Sequence, residues 1–359
     1  MRVGRAGELE LPAFFCADQR RVSVARVGYP FRRKGWGPLL VPKQASFEGF
    51  LAGTGPAGRV RSGSGPTAAG RRSSPFCRSA IRGNLSSENA AISADGRFIV
   101  FESMADNLVP GDNNATRDVF VHDRQTGQTW RVSESSHGQE GNDQSFDAAI
   151  SADGAYIVFA SRASNLVVDD TNGVADLFLH ELLTGQTVRV SHGAGGFETD
   201  GDSLNPHLAG PDAQFIVFES DASNISAADV NGVRDVYMFS RSTGATVAVS
   251  VLPSGETGDG ASGAPMVSED GRYIVFESLA ADLVAEDNNG ESDVFVRDMR
   301  TGTTMMRSID SEGVQGNAGS TRPRLTPDGR LVVFESKATN LTEDPVSNFS
   351  DIFIRSLAE

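Results

Sequence analysis

A repeat of nearly constant length is the feature that most limits how this chain can fold. Five similar segments recur, and each carries an aspartate at its third position: "SADGRFIVFES" (Asp95), "SADGAYIVFAS" (Asp153), "GPDAQFIVFES" (Asp212), "SEDGRYIVFES" (Asp270) and "TPDGRLVVFES" (Asp328). The spacings between these aspartates are 58, 59, 58 and 58 residues. A second aspartate follows 23 residues after each, at Asp118, Asp176, Asp235, Asp293 and Asp351. A period of this length indicates a repeat architecture, in which neighbouring units bury each other's apolar faces.

Each repeat reads as four β-strands. A short first strand such as "AAIS" or "PMVS" turns through Asp-Gly into a strand such as "RYIVFES", and Asp-Gly is a residue pair suited to tight hairpins. A loop of about fifteen residues leads to "DVFVHD" or "DVFVRD", then a Thr-Gly turn and a fourth strand such as "TWRVS". The two middle strands are apolar on both faces, which predicts sheets stacked on sheets.

These observations predict an all-β fold, a β-propeller of four-stranded antiparallel blades with five repeats visible. A parallel β-helix is the alternative, but its coils are much shorter than 58 residues. The segments "S-x-D-G-R-x-I-V-F-x-S" and "D-V-F-V" resemble those of the TolB-like, WD-repeat-like propeller family over residues 83–359. The resemblance implies a periplasmic or secreted protein. It does not imply one activity, because propellers host many functions.

Closure of the ring is left open by the sequence. The fifth repeat stops at "DIFIRSLAE", directly after its third strand. In similar propellers the N-terminal segment often supplies the missing strand, which here would come from residues 68–81. That stretch, "AAGRRSSPFCRSAI", matches "TWRVS" poorly. We therefore expect five blades, with a missing sixth blade as the alternative.

The chain divides by charge into two parts. Residues 1–82 hold 15 Lys and Arg against 4 Asp and Glu, whereas residues 83–359 hold 17 against 43. Residues 51–75 are rich in Gly, Ser, Pro and Arg without strand or helix periodicity, so we expect residues 1–82 to be mostly disordered, a degenerate closing strand or non-native sequence. We assign residues 83–359 to the propeller.

Composition limits the partners. The acidic body disfavours nucleic acid, because phosphate recognition needs clustered Lys and Arg. The sequence has no run of 18 apolar residues, so we expect no membrane-spanning helix, and no clear signal peptide is present. Both cysteines, Cys16 and Cys77, precede the propeller, so its repeats contain no thiol ligand. We expect a monomer that binds a protein or a glycan.

The loop between the second and third strands carries the pattern D-x-N-x-x-x-D in four repeats. Alternating carboxylate and amide oxygens around a tight turn are the ligands that calcium prefers. The candidate metal ligands are Asp112, Asn114, Asp118, Asp170, Asn172, Asp176, Asp229, Asn231, Asp235, Asp287, Asn289 and Asp293. The alternative is a metal-free turn, because Asn and Asp side chains also cap backbone amides. The fifth copy has an extra residue and Pro345, so we do not expect it to bind.

A second series of carboxylates ends the second strand of four repeats, at Glu102, Glu219, Glu277 and Glu335, and Ala160 interrupts it. These side chains either point into a central channel, where they would attract cations, or meet solvent and backbone amides at the strand ends. The latter is the interpretation that we favour.

The sequence contains no G-x-S-x-G nucleophile elbow and no phosphate-binding loop. We therefore expect a non-enzymatic scaffold or binding protein, and calcium-stiffened loops are a further expectation. The alternative is a carbohydrate-active hydrolase or lyase that uses carboxylates near the propeller axis. Near-identical repeats favour binding, because catalysis usually requires one or two deviating blades. The deviating segment "SLNPHLAGPDAQ" in the third repeat is interpreted as drift.

Overall fold

The computed structural model describes residues 82–342 and 349–357 of the chain. The predictions made for residues 1–81, which are disorder and a closing strand, lie outside the described residues, and so does Pro345. The described part of the chain contains no helix with the length and hydropathy that crossing a membrane requires.

The described residues contain nineteen β-strands, which form five sheets. The first two sheets contain β1 (Ser87–Ile92), β2 (Phe98–Ser103), β3 (Asp118–Asp123), β4 (Gln128–Arg131), β5 (Ser145–Ile150), β6 (Tyr156–Ser161), β7 (Asp176–Glu181) and β8 (Gln186–Arg189). The next two contain β9 (Ser203–Ala209), β10 (Phe215–Ser220), β11 (Asp235–Ser240), β12 (Ala245–Ala248), β13 (Ser262–Val267), β14 (Tyr273–Ser278), β15 (Asp293–Asp298) and β16 (Thr303–Met306). The fifth contains β17 (Ser320–Leu325), β18 (Leu331–Ser336) and β19 (Asp351–Ser356). Two short 3₁₀ helices follow β8 and β9, at Ala194–Gly196 and Pro211–Ala213.

Each sheet is an antiparallel meander in chain order, and the first strands β1, β5, β9, β13 and β17 all border one cavity. Five sheets whose innermost strands surround a common cavity form the blades of a propeller. We number the blades one to five along the chain. The predicted fold class, including four-stranded antiparallel blades, is confirmed, and blade five has three strands among the described residues.

The middle strands of the blades form the core. Every blade stacks one aromatic side chain of its second strand on one of its third strand, with ring centroids 5.8 to 5.9 Å apart. Between blades, Val119 and Val121 of blade one share an apolar cluster with Ile157 and Phe159 of blade two, and all four are fully buried. The middle strands, which the sequence shows to be apolar on both faces, thus bury these faces against the neighbouring blades.

The hairpin between first and second strands is fixed by its own side chains. The hydroxyl of Ser93 donates to Asp95 at 2.6 Å and accepts the amide of Phe98 at 3.0 Å. Gly96 has a φ of 70°, a conformation that glycine adopts without strain. The Ser-x-Asp-Gly signature recurs because its residues hold this turn together.

The two terminal blades leave apolar side chains open. Ile352 of blade five is 42% exposed, whereas Val119, Leu177, Val236 and Val294 at the same repeat position are fully buried. In blade one, the side chain of Ile92 is likewise exposed, although its counterparts in blades three to five are buried. Each interior interface buries these faces against the neighbouring blade, and the described residues provide no such neighbour at the two ends.

Candidate functional site

A cavity of about 480 Å³ lies where the five first strands meet. Its lining includes at least one residue from every blade: Asn89, Glu102, Asp147, Ala148, Asn205, Pro206, His207, Ala264, Pro265, Met266 and Arg324. Pockets of this size that combine apolar walls with a few polar groups are the usual places for ligand binding. We call it the axial cavity.

A β-bulge at one repeat position shapes the axial cavity. Each first strand shifts register there, and the bulged residue has a φ of 48 to 53°: Asn89, Asp147, Asn205, Ala264 and Arg322. We call these five residues the bulge tier. The next residue is Ala90, Ala148, Pro206, Pro265 or Pro323. Proline is tolerated there because the first strand is a sheet edge and needs no donor on its open side.

The glutamates at the ends of the second strands join neighbouring blades. Glu219 accepts the backbone N–H of Ala264 in the next blade at 2.8 Å, and Glu277 accepts that of Arg322 at 2.6 Å. Glu102 makes a longer contact of the same kind, 3.4 Å to the amide of Ala148. These carboxylates therefore meet backbone amides, as the favoured interpretation predicted, and each ties one blade to the bulge of the next.

Blade two has Ala160 in place of the glutamate, and Asp147 takes over its role. The Asp147 carboxylate accepts the backbone N–H of Asn205 in blade three at 3.3 Å. At the other end of the series, the half-buried Glu335 pairs with the exposed Arg322 of its own blade at 3.2 Å. Among the described residues it receives no amide from a following blade.

Burial raises the pKa of two axial carboxyl groups, Glu102 and Asp147. For Glu102 the cause is desolvation, which hydrogen bonds from Asn89 and the amide of Ala148 partly offset. For Asp147 desolvation acts together with the negative charge of Glu219, against the amide of Asn205. A raised pKa indicates that negative charge at this end of the cavity is incompletely compensated.

A second layer lies two residues further along the first strands. It consists of Ala91, Ala149, His207, Met266 and Arg324, which occupy equivalent register positions. We call it the lower tier. Burial, followed by the positive charge of Arg324, lowers the pKa of His207 to about 4, so this imidazole is neutral near pH 7.

The residues at the bulge-tier and lower-tier positions differ in chemical type from blade to blade. The sequence interpretation missed these residues, and it interpreted "SLNPHLAGPDAQ" as drift although this segment supplies Asn205 and His207 to the axial cavity. An alignment of the five first strands contains a usable signal: the core positions keep their chemistry, whereas the bulge position changes from amide to acid, alanine and arginine.

The acidic loops form the second candidate site, and in all four the asparagine nitrogen faces the last aspartate. The Nδ2 atoms of Asn114, Asn172, Asn231 and Asn289 donate to the Oδ2 atoms of Asp118, Asp176, Asp235 and Asp293 at 2.8 to 2.9 Å. Each Nδ2 also donates to a backbone carbonyl 27 residues ahead, and each Oδ1 accepts the amide two residues ahead. The asparagine thus organises the turn with both of its polar atoms.

Each loop receives different side chains from later in the repeat. In blade one, Arg131 lies 2.6 Å from Glu140 and 4.0 Å from Asp112, and in blade two Arg189 lies 2.8 Å from Glu198. In blades three and four the side chains that contact the loop carboxylates are neutral. They are Tyr237, which donates to Asp229, and Gln315, which donates to Asp287 and Asp293.

The carboxyl groups of these loops are poorly compensated. Burial, and next the charge of Asp118, raises the pKa of Asp112 to about 6. Burial and the charge of Asp176 do the same for Asp170, whose pKa is also about 6. In blade three, burial raises the pKa of Asp235 to about 6, and Asp229 adds to the shift.

The predicted calcium ligands are brought together in part. Within residues 82–342 and 349–357, the carboxylates of Asp112, Asp118 and Glu140 form one group with oxygens within 4.8 Å of one another. Glu140 was missed, because it lies outside the local motif. The amide oxygen of Asn114 does not join the group, since it accepts the amide of Thr116. The calcium assignment therefore stays a prediction, with carboxylates rather than amides as the available ligands.

No family model matches the chain, and a search of curated protein sequences finds no significant match. Solved structures do match. A protein assigned as TolB from Agrobacterium tumefaciens is 17% identical with a TM-score of 0.46, covering 76% of this chain and 78% of that one. The β-propeller domain of the Trilobed protease from Pyrococcus furiosus is 10% identical with a TM-score of 0.45, covering 78% and 71%. An oligogalacturonate lyase in complex with manganese is 16% identical with a TM-score of 0.43, covering 78% and 67%. These similarities concern the fold alone.

Proposed function

We propose that this chain is a non-enzymatic binding propeller that presents its axial end to a protein or glycan ligand. The observation that supports the proposal is the use of the axial glutamates. Glu219 and Glu277 hold the bulge amides of the next blades, so these carboxylates serve to position blades. Because these glutamates are used to join the blades, the other polar groups that line the axial cavity can differ from blade to blade. Recognition of one particular ligand requires such differences.

The setting of this binding protein follows from charge and resemblance. The acidic body, with 17 basic against 43 acidic residues, supports a protein or glycan partner over nucleic acid. The resemblance to TolB-like propellers supports a periplasmic or secreted location, and we propose that the protein acts there as a monomer.

A panel of immobilised polysaccharides and proteins tests the proposed function. We expect saturable binding to at least one ligand, with no new reducing ends and no unsaturated sugar products in the same incubation. Turnover above the buffer rate would contradict the proposal in favour of an enzyme.

The alternative, a carbohydrate-active hydrolase or lyase, is supported by one observation. Glu102 and Asp147 both line the axial cavity, and burial raises the pKa of both, as general acids require. In that case polysaccharide turnover would be measurable and would fall by about 10²-fold or more in Asp147→Asn. Saturable polysaccharide binding by the unaltered protein without any turnover would exclude the alternative.

Calcium in the loop of blade one is a further part of the proposal. The carboxylates of Asp112, Asp118 and Glu140 supply hard oxygen ligands. Burial, and next the charge of Asp118, raises the pKa of Asp112 to about 6, and a divalent cation would compensate the negative charge of this group. Arg131 would have to withdraw from Glu140, because its guanidinium lies at the same centre.

Thermal unfolding of the full chain with calcium or with chelator tests this site. We expect calcium to stabilise the protein by about 2.7 kcal/mol at a hundredfold excess over its dissociation constant. The stabilisation should shrink from about pH 8 to about pH 5, because protons compete for carboxyl groups with a raised pKa. Glu140→Gln should lose the effect, whereas the matched change Glu198→Gln in blade two should keep it. Identical melting with calcium and chelator at both pH values would refute the site.

A further inference from the structure

Two opposite charges line the axial cavity without an ion-pair partner among the described residues. Asp147 of blade two accepts one backbone N–H, from Asn205 at 3.3 Å. Arg324 of blade five donates one N–H to the carbonyl of Pro323 at 3.0 Å. By contrast, Glu102 is paired with Arg117, and Glu219 is paired with Arg234. Asp147 is half-buried and Arg324 is exposed, so a ligand can reach both.

The two charges are separated along the strand direction. Asp147 belongs to the bulge tier, and Arg324 lies two residues beyond Arg322, the bulge-tier residue of its own blade. Two strand residues correspond to an offset of about 6 to 7 Å along the strands, and the width of the cavity between blades two and five adds to it. An extended peptide advances about 3.3 to 3.6 Å per residue, so a peptide of a few residues matches the scale of this offset and of a cavity of about 480 Å³.

The remaining lining suits a peptide backbone. The Nδ2 atoms of Asn89 and Asn205 are engaged by Glu102 and Glu219, at 3.1 and 2.7 Å, which leaves the amide oxygens as acceptors for ligand N–H groups. Pro206, Pro265 and Met266 add apolar wall. Arg324 is the lining cation, because His207 beside it is neutral near pH 7.

We propose that the axial cavity binds a short peptide with free termini, its ammonium group at Asp147 and its carboxylate at Arg324. This inference deepens the proposed binding function by naming the ligand class. A dipolar ligand compensates both charges at once, whereas a neutral glycan compensates neither and a simple anion or cation only one. Charged hydrogen bonds of this kind are stronger than neutral ones.

Calorimetric titration of the full chain with Gly-Gly, Gly-Gly-Gly and Ala-Ala tests the proposal, alongside the N-acetylated and C-amidated forms of each peptide. We expect each cap to weaken binding by about tenfold or more, because each removes one charged contact. Asp147→Asn should abolish the penalty for acetylation but keep that for amidation. Arg324→Gln should do the reverse. Arg330→Gln, which changes an exposed arginine of the same blade, should leave every affinity unchanged.

The same titrations decide against the proposal if no peptide binds at about 10 mM, or if capped and free peptides bind alike in the unaltered protein. Asp147→Asn keeps an acceptor for the amide of Asn205, so unchanged thermal unfolding is expected and separates a binding defect from misfolding. Failure with peptides but binding in the polysaccharide and protein panel would end this inference and leave the proposed function standing. Failure in both would end both.

Discussion

Replacing Asp176 by alanine is expected to lower the free energy of unfolding by about 3 to 5 kcal/mol. Asp176 is fully buried and accepts hydrogen bonds from Ser191 at 2.5 Å, Thr199 at 2.9 Å and Asn172 at 2.8 Å. Alanine removes the carboxylate acceptor. The three donors then lose this hydrogen bond in a buried site that water cannot easily enter. A buried donor without an acceptor costs more than the hydrogen bond itself contributed.

The repeat supplies a matched control for this experiment. Asp351 occupies the same position in blade five, but it is half-buried, and its side chain has no hydrogen-bond partner among the described residues. Asp351→Ala should therefore cost less than about 1 kcal/mol. Urea unfolding followed by circular dichroism measures both values. Equal losses in the two variants would show that the partners of Asp176 contribute little, and a loss below about 1 kcal/mol for Asp176→Ala would contradict the prediction outright.

The same aspartates show what the sequence could and could not predict. The constant spacing of 23 residues placed them correctly at the start of the third strands, because turn chemistry and apolar patterning are local properties. The direction of the Asn172 amide is not local. The same motif stabilises a turn when the asparagine Nδ2 faces the carboxylate, and it binds a metal when the asparagine Oδ1 faces an ion. The groups that complete each loop, such as Glu140 and Gln315, come from the connection to the next blade.

The axial cavity was harder to predict for a related reason. First strands have one hydrogen-bonded neighbour and border the cavity, so their apolar pattern is weak and single changes resemble drift. The bulge at Asp147 moves this side chain into contact with Asn205, a residue 58 positions away. A sequence pattern within one repeat carries no record of such a contact. The continuous apolar pattern of the middle strands predicted the core, because both faces of these strands are buried.

The second large effect concerns the open end of the propeller. Val294→Asp is expected to cost about 4 kcal/mol or more, because Val294 is fully buried within the apolar cluster shared by blades four and five. Ile352 occupies the equivalent position one repeat later and is 42% exposed. An aspartate at this exposed position can stay hydrated, so Ile352→Asp should lower the free energy of unfolding by less than about 1.5 kcal/mol.

The difference between these two variants reports on closure of the ring. An interface between blades buries the second residue of the third strand in blades one to four, so a large cost at Ile352 requires something to cover that face in solution. Val168→Asp, at a loop position that is 86% exposed, supplies the baseline for adding a negative charge to an acidic protein. If Ile352→Asp matches this baseline, blade five ends the propeller with its face in water. If it matches Val294→Asp, the open end is contradicted, because only packing against another apolar surface makes a charge that costly there.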